Sequence, residues 1–562
     1  MIHLRLHAAF IAMAAACVLL VNLGGPALWD DDEPKNAACS LAMLDSGDWV
    51  VPTFNGRLRA EKPPLANWVQ MAGFSLCGRN ETGARIGSAL LTIGTCLLTW
   101  RIGCGLVGSA GGFLGGLVMA TCIWTAIGGR AATPDAPLLF CTTLALWLFV
   151  RGGGAGRRPL AAGTAAAIGA ACGLAALAKG PVGIVLPAGA FVLFAAWQRQ
   201  AGIVPTVMAA VGRLRLPVIG CAALAVALPW HARVGFRTSG AWLHGFFLVH
   251  NVGRFAAPME GHSGSVFYYP AVIAVGLFPW SLVLLAMLAH TATILRPRSN
   301  DPQRPGVALL TAWTLAWVGA FSCSGTKLPG YVWPAYPALA LLTALYLTDW
   351  SRGAVTFTNR WHDPAFASRA VMRTAWATLA AVGLAITVGL ALAAHLLAPG
   401  DEWLGLIGLV PIGGAALAWR HDAAGDAGRA IRAVAVTSCL LVSLLAGLAT
   451  HRFSAAQGMR ESIKTIAAGG PAPWACFWNV PPSVVFYART TVAKLDTPED
   501  VARHLAGHPQ ARVVIDSRHE PLVRDALPPG CTVLARIPTL DERHYLVLGP
   551  PAARDAAFAL AP

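Results

Sequence analysis

Four consecutive carboxylates occupy residues 30–33, directly after a run of roughly twenty mostly apolar residues. Like charges packed this closely repel one another, and each loses hydration near a lipid bilayer, so such a run is costly unless it has a use. A cation, Lys35, follows two positions after Glu33. A carboxylate beside a bilayer can accept a proton from a substrate hydroxyl or orient it, and this is the chemistry that the pattern suggests.

The lysines of the chain are few and unevenly placed. Only six of the 42 Lys and Arg residues are lysines, and four of them lie in short polar motifs between apolar runs: Lys35, Lys62, Lys179 and Lys327. A lysine ammonium is a compact point charge, whereas the arginines used elsewhere carry a planar guanidinium. The pattern favours a site for an anion, although lysines that reach lipid head groups would give the same placement.

The composition places these motifs in a polytopic α-helical membrane protein. The 562 residues are 56% hydrophobic and 12% charged, with a mean hydropathy of +0.58, whereas soluble proteins carry about 25% charged residues. Apolar runs of membrane-spanning length recur from end to end. The first is interpreted as a retained helix rather than a signal peptide, because twelve more follow. The thirteen predicted spans are 8–28, 83–100, 107–127, 136–150, 160–178, 182–198, 216–233, 267–290, 306–323, 328–349, 374–397, 403–419 and 430–450.

The net charge of +15 follows the membrane topology. With the N-terminus in the cytoplasm, almost all of the excess positive charge falls in inner segments, as the positive-inside rule requires, so no nucleic-acid partner is expected. The polar motifs fall on the outer face, in DDDEPK (30–35), RAEKPPLANW (59–68), GGRAATPDAP (128–137), AKGPVG (178–183), HGFFLVHNVGRFAAPMEGHSGSVFYYP (244–270) and SGTKLPGYVWP (324–334). Carboxylates and cations gathered at one membrane face predict a pocket for an anionic ligand, and a phosphate joined to a lipid fits best.

Residues 451–562 are expected to form a small extracytoplasmic α/β domain. The runs SVVFYA, ARVVID, TVLARI and HYLVLG are predicted strands, and TPEDVARHLAGH is compatible with a helix. Cys476 and Cys531 lie in this tail, and whether they pair stays open. The chain has neither a phosphate-binding GxxxxGK[ST] loop nor a GxGxxG motif after a strand, so a soluble nucleotide cofactor is not expected.

The stretch DDEPKNAACSLAMLDSGDWVVPTFNGRLRAEKPPLANW resembles the first outer loop of the bacterial lipid-carrier-dependent glycosyltransferases. These enzymes are relatives of the protein O-mannosyltransferases and of the lipid A aminoarabinose transferase. TPDAPL, LAKGPVG, HNVGRF and SGTKLPGYVWPAYPALALL match later blocks of the family in the same order, over roughly residues 28–350. The resemblance implies a GT-C fold in the bacterial inner membrane. Residues 1–450 would be the catalytic domain, with its first outer loop at 29–82 and its active site on the periplasmic face.

The resemblance also implies a reaction. The donor would be a sugar joined to a polyprenyl phosphate such as undecaprenyl phosphate, and transfer would invert the anomeric carbon. The acceptor would be lipid A or a related envelope lipid or glycan, with protein as the alternative. Because the leaving group is already a lipid phosphate, cations can stabilise its developing charge without a nucleotide.

Matching positions carry the roles of the family onto this chain. Asp32 would be the general base or would orient the acceptor, with Asp30 and Asp31 as solvated neighbours. Asp135 would hold an amine or hydroxyl of the donor sugar, although it equally fits an N-cap of the fourth span. The residues that would hold the carrier phosphate are Lys62, Lys179, Arg254, Lys327 and Tyr331.

Two further sets of residues follow from the resemblance. Glu61 and His262 match positions where relatives bind a divalent ion such as zinc in a structural role. Two ligands make a zinc site only when water or backbone completes it, so no cofactor is firmly required. Glu33 and Lys35 belong to a substrate loop. The family continues after its Asp-Glu pair with Arg-Tyr and a further Glu, where this chain has PKNAA, so the choice of sugar and acceptor is expected to differ here.

Two other functions are compatible with a polytopic chain. A transporter or flippase of lipid-linked sugars would place ionisable residues near the bilayer midplane, on broken helices with internal repeats, and this sequence has its charges at one face. A non-catalytic envelope receptor would leave the charged outer loops without a purpose. Glycosyl transfer is therefore the favoured prediction.

Overall fold

A computed structural model describes residues 2–29, 31–156, 159–199, 211–256, 264–296, 300–355, 364–538 and 544–550. Up to residue 457 the described chain is almost entirely helical. Its α-helices are α1 Ile2–Leu19, α2 Asp32–Ser46, α3 Leu65–Cys77, α4 Glu81–Leu106, α5 Gly108–Thr121, α6 Ile123–Arg130, α7 Asp135–Arg151, α8 Ala162–Lys179, α9 Val182–Arg199, α10 Leu216–Arg237, α11 Ala241–Leu243, α12 Arg254–Ala256, α13 Tyr268–Gly276, α14 Leu284–Ile294, α15 Arg304–Ser322, α16 Tyr336–Ser351, α17 Pro364–Leu397, α18 Leu409–Ala423, α19 Ala427–Leu444 and α20 Thr450–Gln457.

Each of the thirteen predicted spans overlaps one or more helices. Within the described ranges, seven helical stretches are long and apolar enough to cross a membrane, and the pair α5 and α6, bent by 59°, makes up to eight. The multi-pass prediction is confirmed, and the number of thirteen stays a prediction. The helix α17 exposes a row of apolar side chains four residues apart, which suits contact with lipid: Leu384, Val388, Leu392 and Leu396.

Small residues let the membrane helices approach closely. A Cβ atom added at Gly103 in α4 would lie 2.5 Å from the Cα atom of Gly112 in α5. This distance leaves no room for any side chain, so the two helices pack backbone to backbone at this point. Such contacts are common where no hydrophobic effect drives helix association inside a bilayer.

The first outer loop folds into two helices joined by a hairpin. The helix α2 ends at Gly47, which has a left-handed φ of 65°. Strands β1 (Thr53–Phe54) and β2 (Arg57–Leu58) then pair around Asn55-Gly56, whose φ values are 51° and 73°. Two positive φ values in a row define a tight hairpin turn, for which Asn-Gly is the preferred sequence. The pair Pro63-Pro64 leads into α3.

The C-terminal domain has a mixed five-stranded sheet in the order β4-β3-β5-β7-β6. The first three strands in this order are parallel, and β7 pairs antiparallel with β5 and β6. Its strands are β3 Trp474–Phe477, β4 Val492–Leu495, β5 Arg512–Asp516, β6 Thr532–Pro538 and β7 His544–Gly549. Its helices are α21 Met459–Ala468, α22 Pro482–Ala488, α23 Pro498–Ala506 and α24 Glu520–Val523. The predicted α/β class is confirmed.

Three details of the tail differ from, or complete, the sequence interpretation. SVVFYA forms α22 rather than a strand, because Pro482 opens a helix and Arg489 closes it in a left-handed conformation. The helical run of α19 and α20 continues past residue 450 to Gln457, and the domain boundary at residues 450 and 451 stays a prediction. Cys476 and Cys531 are both free thiols.

The sheet domain is fixed onto the first outer loop. Buried residues of α2, including Ala37 and Leu41, share one apolar cluster with Trp474 and Val484 of the sheet domain. The amide of Asn55 donates to the carbonyl of Val492 at 2.8 Å and accepts from its backbone N–H at 2.7 Å. Because these two bonds pair the hairpin turn with strand β4, the loop and the sheet form a continuous structure.

Candidate functional site

Four of the five residues predicted to hold a phosphate line one small cavity of about 90 Å³. They come from four different segments: Lys62 from the first outer loop, Lys179 from the end of α8, Arg254 from α12, and Tyr331 from the 3₁₀ helix Pro329–Ala335. The cavity is also lined by Glu61, His250, Asn251 and Ser324. We call it the donor pocket. Three cations and a phenol around one small volume form a strong site for an anion.

Lys179, which lines the donor pocket, forms an ion pair with Asp135, which is not among the described residues of that lining. Lys179 is the last residue of α8 and Asp135 is the first residue of α7, so each charge lies at the helix end where the macrodipole favours it. The ammonium also lies 4.8 Å from the centre of the Tyr331 ring. Asp135 therefore opens a helix, as its N-terminal position suggested, and at the same time faces the predicted phosphate ligands.

The ammonium of Lys62 is a strongly perturbed charge of the pocket outside the membrane helices. Withdrawal from bulk water lowers its pKa to about 8, the cations Lys179 and Arg254 lower it as well, and Asp32 and Asp135 oppose the shift. A lysine in such surroundings is still mostly protonated at neutral pH. A bound phosphate would add the negative charge that this cluster lacks.

Asp32 has the exposure that a working carboxylate needs. It lies in the first turn of α2, exposed to solvent, and the described residues provide it with no hydrogen-bond donor or ion-pair partner. Its charge raises the pKa of Lys62, so the two groups are electrostatically coupled. Asp31, also exposed, precedes the helix, and Asp30 lies outside the described residues.

The carboxylate of Glu33 is occupied by structural contacts. It is buried and accepts hydrogen bonds from the backbone of Trp29 at 2.6 Å and of Ala132 at 2.7 Å. It also pairs with the Arg85 guanidinium at 2.6 and 2.9 Å. Glu33 thus joins the start of α2 to α4 and to the second outer loop. The substrate-loop role of Glu33 stays a prediction.

Glu61 is surrounded by cations. Its carboxylate is 2.6 Å from the Lys35 ammonium and 3.4 Å from the Arg59 guanidinium. Arg59, Lys35 and Lys62 together overcome the effect of burial and lower the pKa of Glu61 to about 2. The same contacts place Lys35 beside the donor pocket but not in its lining.

These contacts do not fit a divalent ion at Glu61. A metal ion there would have to displace Lys35 and Arg59 and would face the Lys62 charge next to it. The described part of the chain contains no group of three or more His, Cys, Asp or Glu side chains with metal-binding geometry. His262, the second predicted ligand, lies outside the described residues.

Lys327 differs from the other predicted phosphate ligands. It is buried, and its ammonium donates to the carbonyls of Ser322 at 2.9 Å and Ser324 at 2.8 Å. Ser322 is the last residue of α15, so Lys327 caps this helix with two of its three donors. Among the described residues it does not line the donor pocket, so its assignment as a phosphate ligand stays a prediction.

Two arginines that the sequence analysis did not assign to the site connect the helices and loops around it. Arg85 in α4 donates to the carbonyls of Leu23, Pro26 and Ala27. Arg130 at the end of α6 donates to four carbonyls around the C-terminal end of α1: Val18, Leu19, Val21 and Asn22. These contacts, rather than a lipid head group, hold Arg130. The sequence feature that could have indicated this role is a lone arginine beside an apolar run. Charged side chains inside a membrane protein usually pair with carbonyl or carboxylate groups.

Comparison with known proteins relates this chain to others. The model of a family described as dolichyl-phosphate-mannose-protein mannosyltransferase matches residues 61–230. An uncharacterized protein of Aquifex aeolicus is 31% identical over 317 residues, 56% of this chain and 67% of that protein. The undecaprenyl phosphate-alpha-4-amino-4-deoxy-L-arabinose arabinosyl transferase of Pseudomonas paraeruginosa is 31% identical over 347 residues, 59% of this chain and 58% of that protein. The chain thus spans about three fifths to two thirds of the length of these relatives.

The similarity to a solved structure covers both parts of the molecule. The crystal structure of ArnT from Cupriavidus metallidurans bound to undecaprenyl phosphate superposes with a TM-score of 0.76 at 22% identity. The superposition covers 96% of this chain and 97% of that one. At this identity the similarity concerns the fold, and it includes the membrane helices together with the C-terminal sheet domain.

Proposed function

We propose that this chain, which belongs to the ArnT-like family of GT-C membrane glycosyltransferases, transfers a sugar from undecaprenyl phosphate to lipid A. The GT-C fold predicted from the sequence is confirmed. The proposal for the donor and the acceptor starts from the relative named as an undecaprenyl phosphate aminoarabinose transferase. The donor pocket is the observation that carries it for this chain.

The donor pocket suits the phosphate of a polyprenyl carrier. Lys62, Lys179 and Arg254 converge at the ends of helices α8 and α12 and at the first outer loop, next to the apolar side chains Phe246 and Phe255. Positive charge beside apolar surface matches a ligand with a phosphate at one end and a hydrocarbon chain at the other. The charge that develops on the leaving phosphate would be stabilised by cations already in place, with no nucleotide.

In the proposed reaction the protein takes part in one proton transfer, from the acceptor hydroxyl to a carboxylate. The acceptor hydroxyl attacks the anomeric carbon as the bond between that carbon and the phosphate oxygen breaks, which inverts the anomeric configuration. Asp32 accepts the proton of the hydroxyl, because its carboxylate is exposed and electrostatically coupled to Lys62. General-base assistance of this kind contributes about 10²- to 10⁴-fold. Asp135, held by Lys179, orients the donor sugar.

The orientation in the membrane belongs to the proposal as well. The donor pocket and the C-terminal sheet domain lie at the same side of the helices, because the first outer loop contacts both. The distribution of positive charge along the sequence places this side in the periplasm.

A second acceptor has an observation in its favour. The family model that matches residues 61–230 is described as a protein mannosyltransferase, so transfer to a protein hydroxyl is the alternative. The two acceptors differ in the group presented to Asp32 and share the donor chemistry. Both are therefore included in the test.

The test is a transfer reaction with purified chain, a panel of undecaprenyl-phosphate sugars, and lipid A or envelope protein as acceptor. Mass spectrometry identifies the product. We expect Asp32→Asn to reduce turnover about 10²-fold or more while undecaprenyl phosphate still binds. The matched control is Asp31→Asn, which removes a neighbouring carboxylate and should retain turnover. Equal turnover in Asp32→Asn and wild type would remove Asp32 from the mechanism, and transfer to protein alone would favour the alternative.

A further inference from the structure

A second and larger cavity lies between the first outer loop and the C-terminal sheet domain. Its volume is about 870 Å³. One wall is the hairpin of β1 and β2, and the opposite wall is formed by strands β3 and β4 with the loop that follows β3. A volume of this size accommodates a drug-sized or disaccharide-sized group. We call it the interdomain cavity.

The interdomain cavity adjoins the donor pocket. Glu61 and His250 line both, so the two spaces adjoin at these side chains. An occupant of the interdomain cavity therefore lies next to the group that leaves the donor. This position is the one that an acceptor must take in a single displacement.

The lining of the interdomain cavity is cationic. It includes Lys35, Arg57, Arg59 and Lys494, against the single carboxylate of Glu61. Lys35 and Arg59 neutralise Glu61, and Lys494 is 2.6 Å from Asp496 beside the cavity. Arg57 is exposed and forms no ion pair with any described residue. A guanidinium without an ion-pair partner in the cavity wall favours the binding of a phosphate or carboxylate group.

A buried guanidinium behind the wall adds to this positive field. Arg512 in β5 is fully buried, and none of its three nitrogen atoms has a hydrogen-bond partner within the described ranges. It lies 5.3 Å from the ring of Trp474, which itself lines the interdomain cavity. A buried charge without a counter-ion is costly in the free protein. An anion in the cavity would offset part of that cost.

Trp478 provides a rigid aromatic surface in the same cavity. Its backbone has a φ of 66°, which is rare for a bulky residue, and its side chain remains 47% exposed. The strained conformation is held by two hydrogen bonds, from the backbone N–H to Leu495 at 2.8 Å and from Nε1 to Asp496 at 3.0 Å. Strain of this kind persists only where the surrounding structure fixes it, and strained residues cluster at active sites and ligand-binding sites. An exposed, fixed indole presents a face on which an apolar or sugar ring can stack.

We infer that the interdomain cavity binds the anionic saccharide head group of the acceptor, with Trp478 and Arg57 as specificity-determining residues. The inference rests on the proposed function and adds the place and the residues that select its acceptor. The C-terminal domain then takes part in substrate choice, because Trp478 and Lys494 belong to it. Asn55 keeps the cavity preformed, since its two bonds to Val492 join the opposing walls.

The test measures two dissociation constants on the full chain in nanodiscs. One is for lipid A, intact or with its phosphates removed, and the other is for undecaprenyl phosphate. We expect Trp478→Ala and Arg57→Gln each to raise the constant for intact lipid A about tenfold, the effect of one charge-assisted bond or one lost ring contact. The constant for undecaprenyl phosphate should not change, which also shows that both variants fold. The effect of Arg57→Gln should disappear with dephosphorylated lipid A.

Matched controls substitute the same residue types outside the cavity. Trp419→Ala in α18 removes a tryptophan of similar exposure, 43%, and Arg503→Gln in α23 removes an exposed arginine. Unchanged lipid A affinity in both cavity variants overturns the inference. The inference is also overturned if the wild-type chain binds undecaprenyl phosphate but not lipid A, or binds an acceptor peptide instead of lipid A. Failure to bind undecaprenyl phosphate would instead refute the proposed function.

Discussion

The pH dependence of donor binding is predicted by the perturbed pKa of Lys62. Desolvation and the nearby cations Lys179 and Arg254 lower that pKa to about 8. A phosphate favours the protonated lysine, so binding raises the pKa. By linkage, the affinity for the phosphate is highest below the pKa that Lys62 has in the free protein, and it decreases as pH rises through that pKa. An arginine at the same position would keep its charge throughout this range.

The magnitude follows from the fraction of Lys62 that is protonated. With a pKa of about 8, that fraction falls from roughly three quarters at pH 7.5 to roughly 3% at pH 9.5. If only the form with protonated Lys62 binds the phosphate, the dissociation constant rises ~25-fold, which is about 1.9 kcal/mol. A hydrogen bond to a charged group contributes about 1.5–3 kcal/mol. The form with neutral Lys62 therefore keeps some affinity, and ~25-fold is the upper limit of the rise.

The assay is equilibrium binding of undecaprenyl phosphate to the full chain in nanodiscs between pH 7.5 and 9.5. The phosphate monoester is already doubly ionised over this range, since its second pKa is about 6, so its charge does not titrate. The control is Lys62→Arg, for which we expect a nearly constant affinity. Asp32→Asn should move the midpoint below pH 8, because Asp32 raises the pKa of Lys62. A flat wild-type profile, or the same slope in Lys62→Arg, would refute the reasoning.

Three further outcomes distinguish structural from functional charges. Glu33→Gln leaves the Arg85 guanidinium buried without its carboxylate, and we expect about 3–5 kcal/mol of destabilisation by unfolding in detergent. Lys327→Met removes two hydrogen bonds at a helix end, so stability should fall by about 1–3 kcal/mol while donor affinity remains. Asp135→Asn removes a carboxylate that competes for Lys179, so undecaprenyl phosphate should bind several-fold more tightly while turnover falls.

Each of these predictions has its own control variant. The control for Glu33→Gln is Asp45→Asn, which breaks a half-exposed ion pair with Arg79. Asp45→Asn should change stability by about 1 kcal/mol or less. Lys327→Met is compared with Lys62→Met, and a similar loss of donor affinity in both would support Lys327 as a phosphate ligand. Weaker binding by Asp135→Asn would mean that Asp135 positions Lys179 for the phosphate rather than competing with it.

Much of the site could be predicted from the order of polar motifs along the chain. Apolar runs fix where a chain enters and leaves a bilayer, so residues in alternate loops must meet at one face whatever their separation in sequence. This is why Lys62, Lys179, Arg254 and Tyr331 share a pocket as expected. The α/β class of the tail followed similarly from runs such as ARVVID and HYLVLG, which form β5 and β7.

Short apolar runs were the weakest basis for prediction. SVVFYA is as apolar as a strand, yet it forms α22, and the strands WACF (474–477) and VAKL (492–495) were not identified. A run of four to six residues does not show whether its period is 2 or 3.6. The flanking Pro481-Pro482 pair and the paired neighbours in the sheet determined these elements.

The sequence by itself determined the class of protein, the face on which its charges collect and the identity of most charged groups around the donor pocket, because these follow from hydropathy, charge distribution and motif order. Only the tertiary structure decided what each charge does. Glu33 and Lys327 resemble Asp32 and Lys62 in the sequence, but Glu33 pairs with Arg85 and Lys327 caps α15. The reason is physical: a charge is available for a ligand only if no nearer group satisfies it, and those groups come from distant parts of the chain.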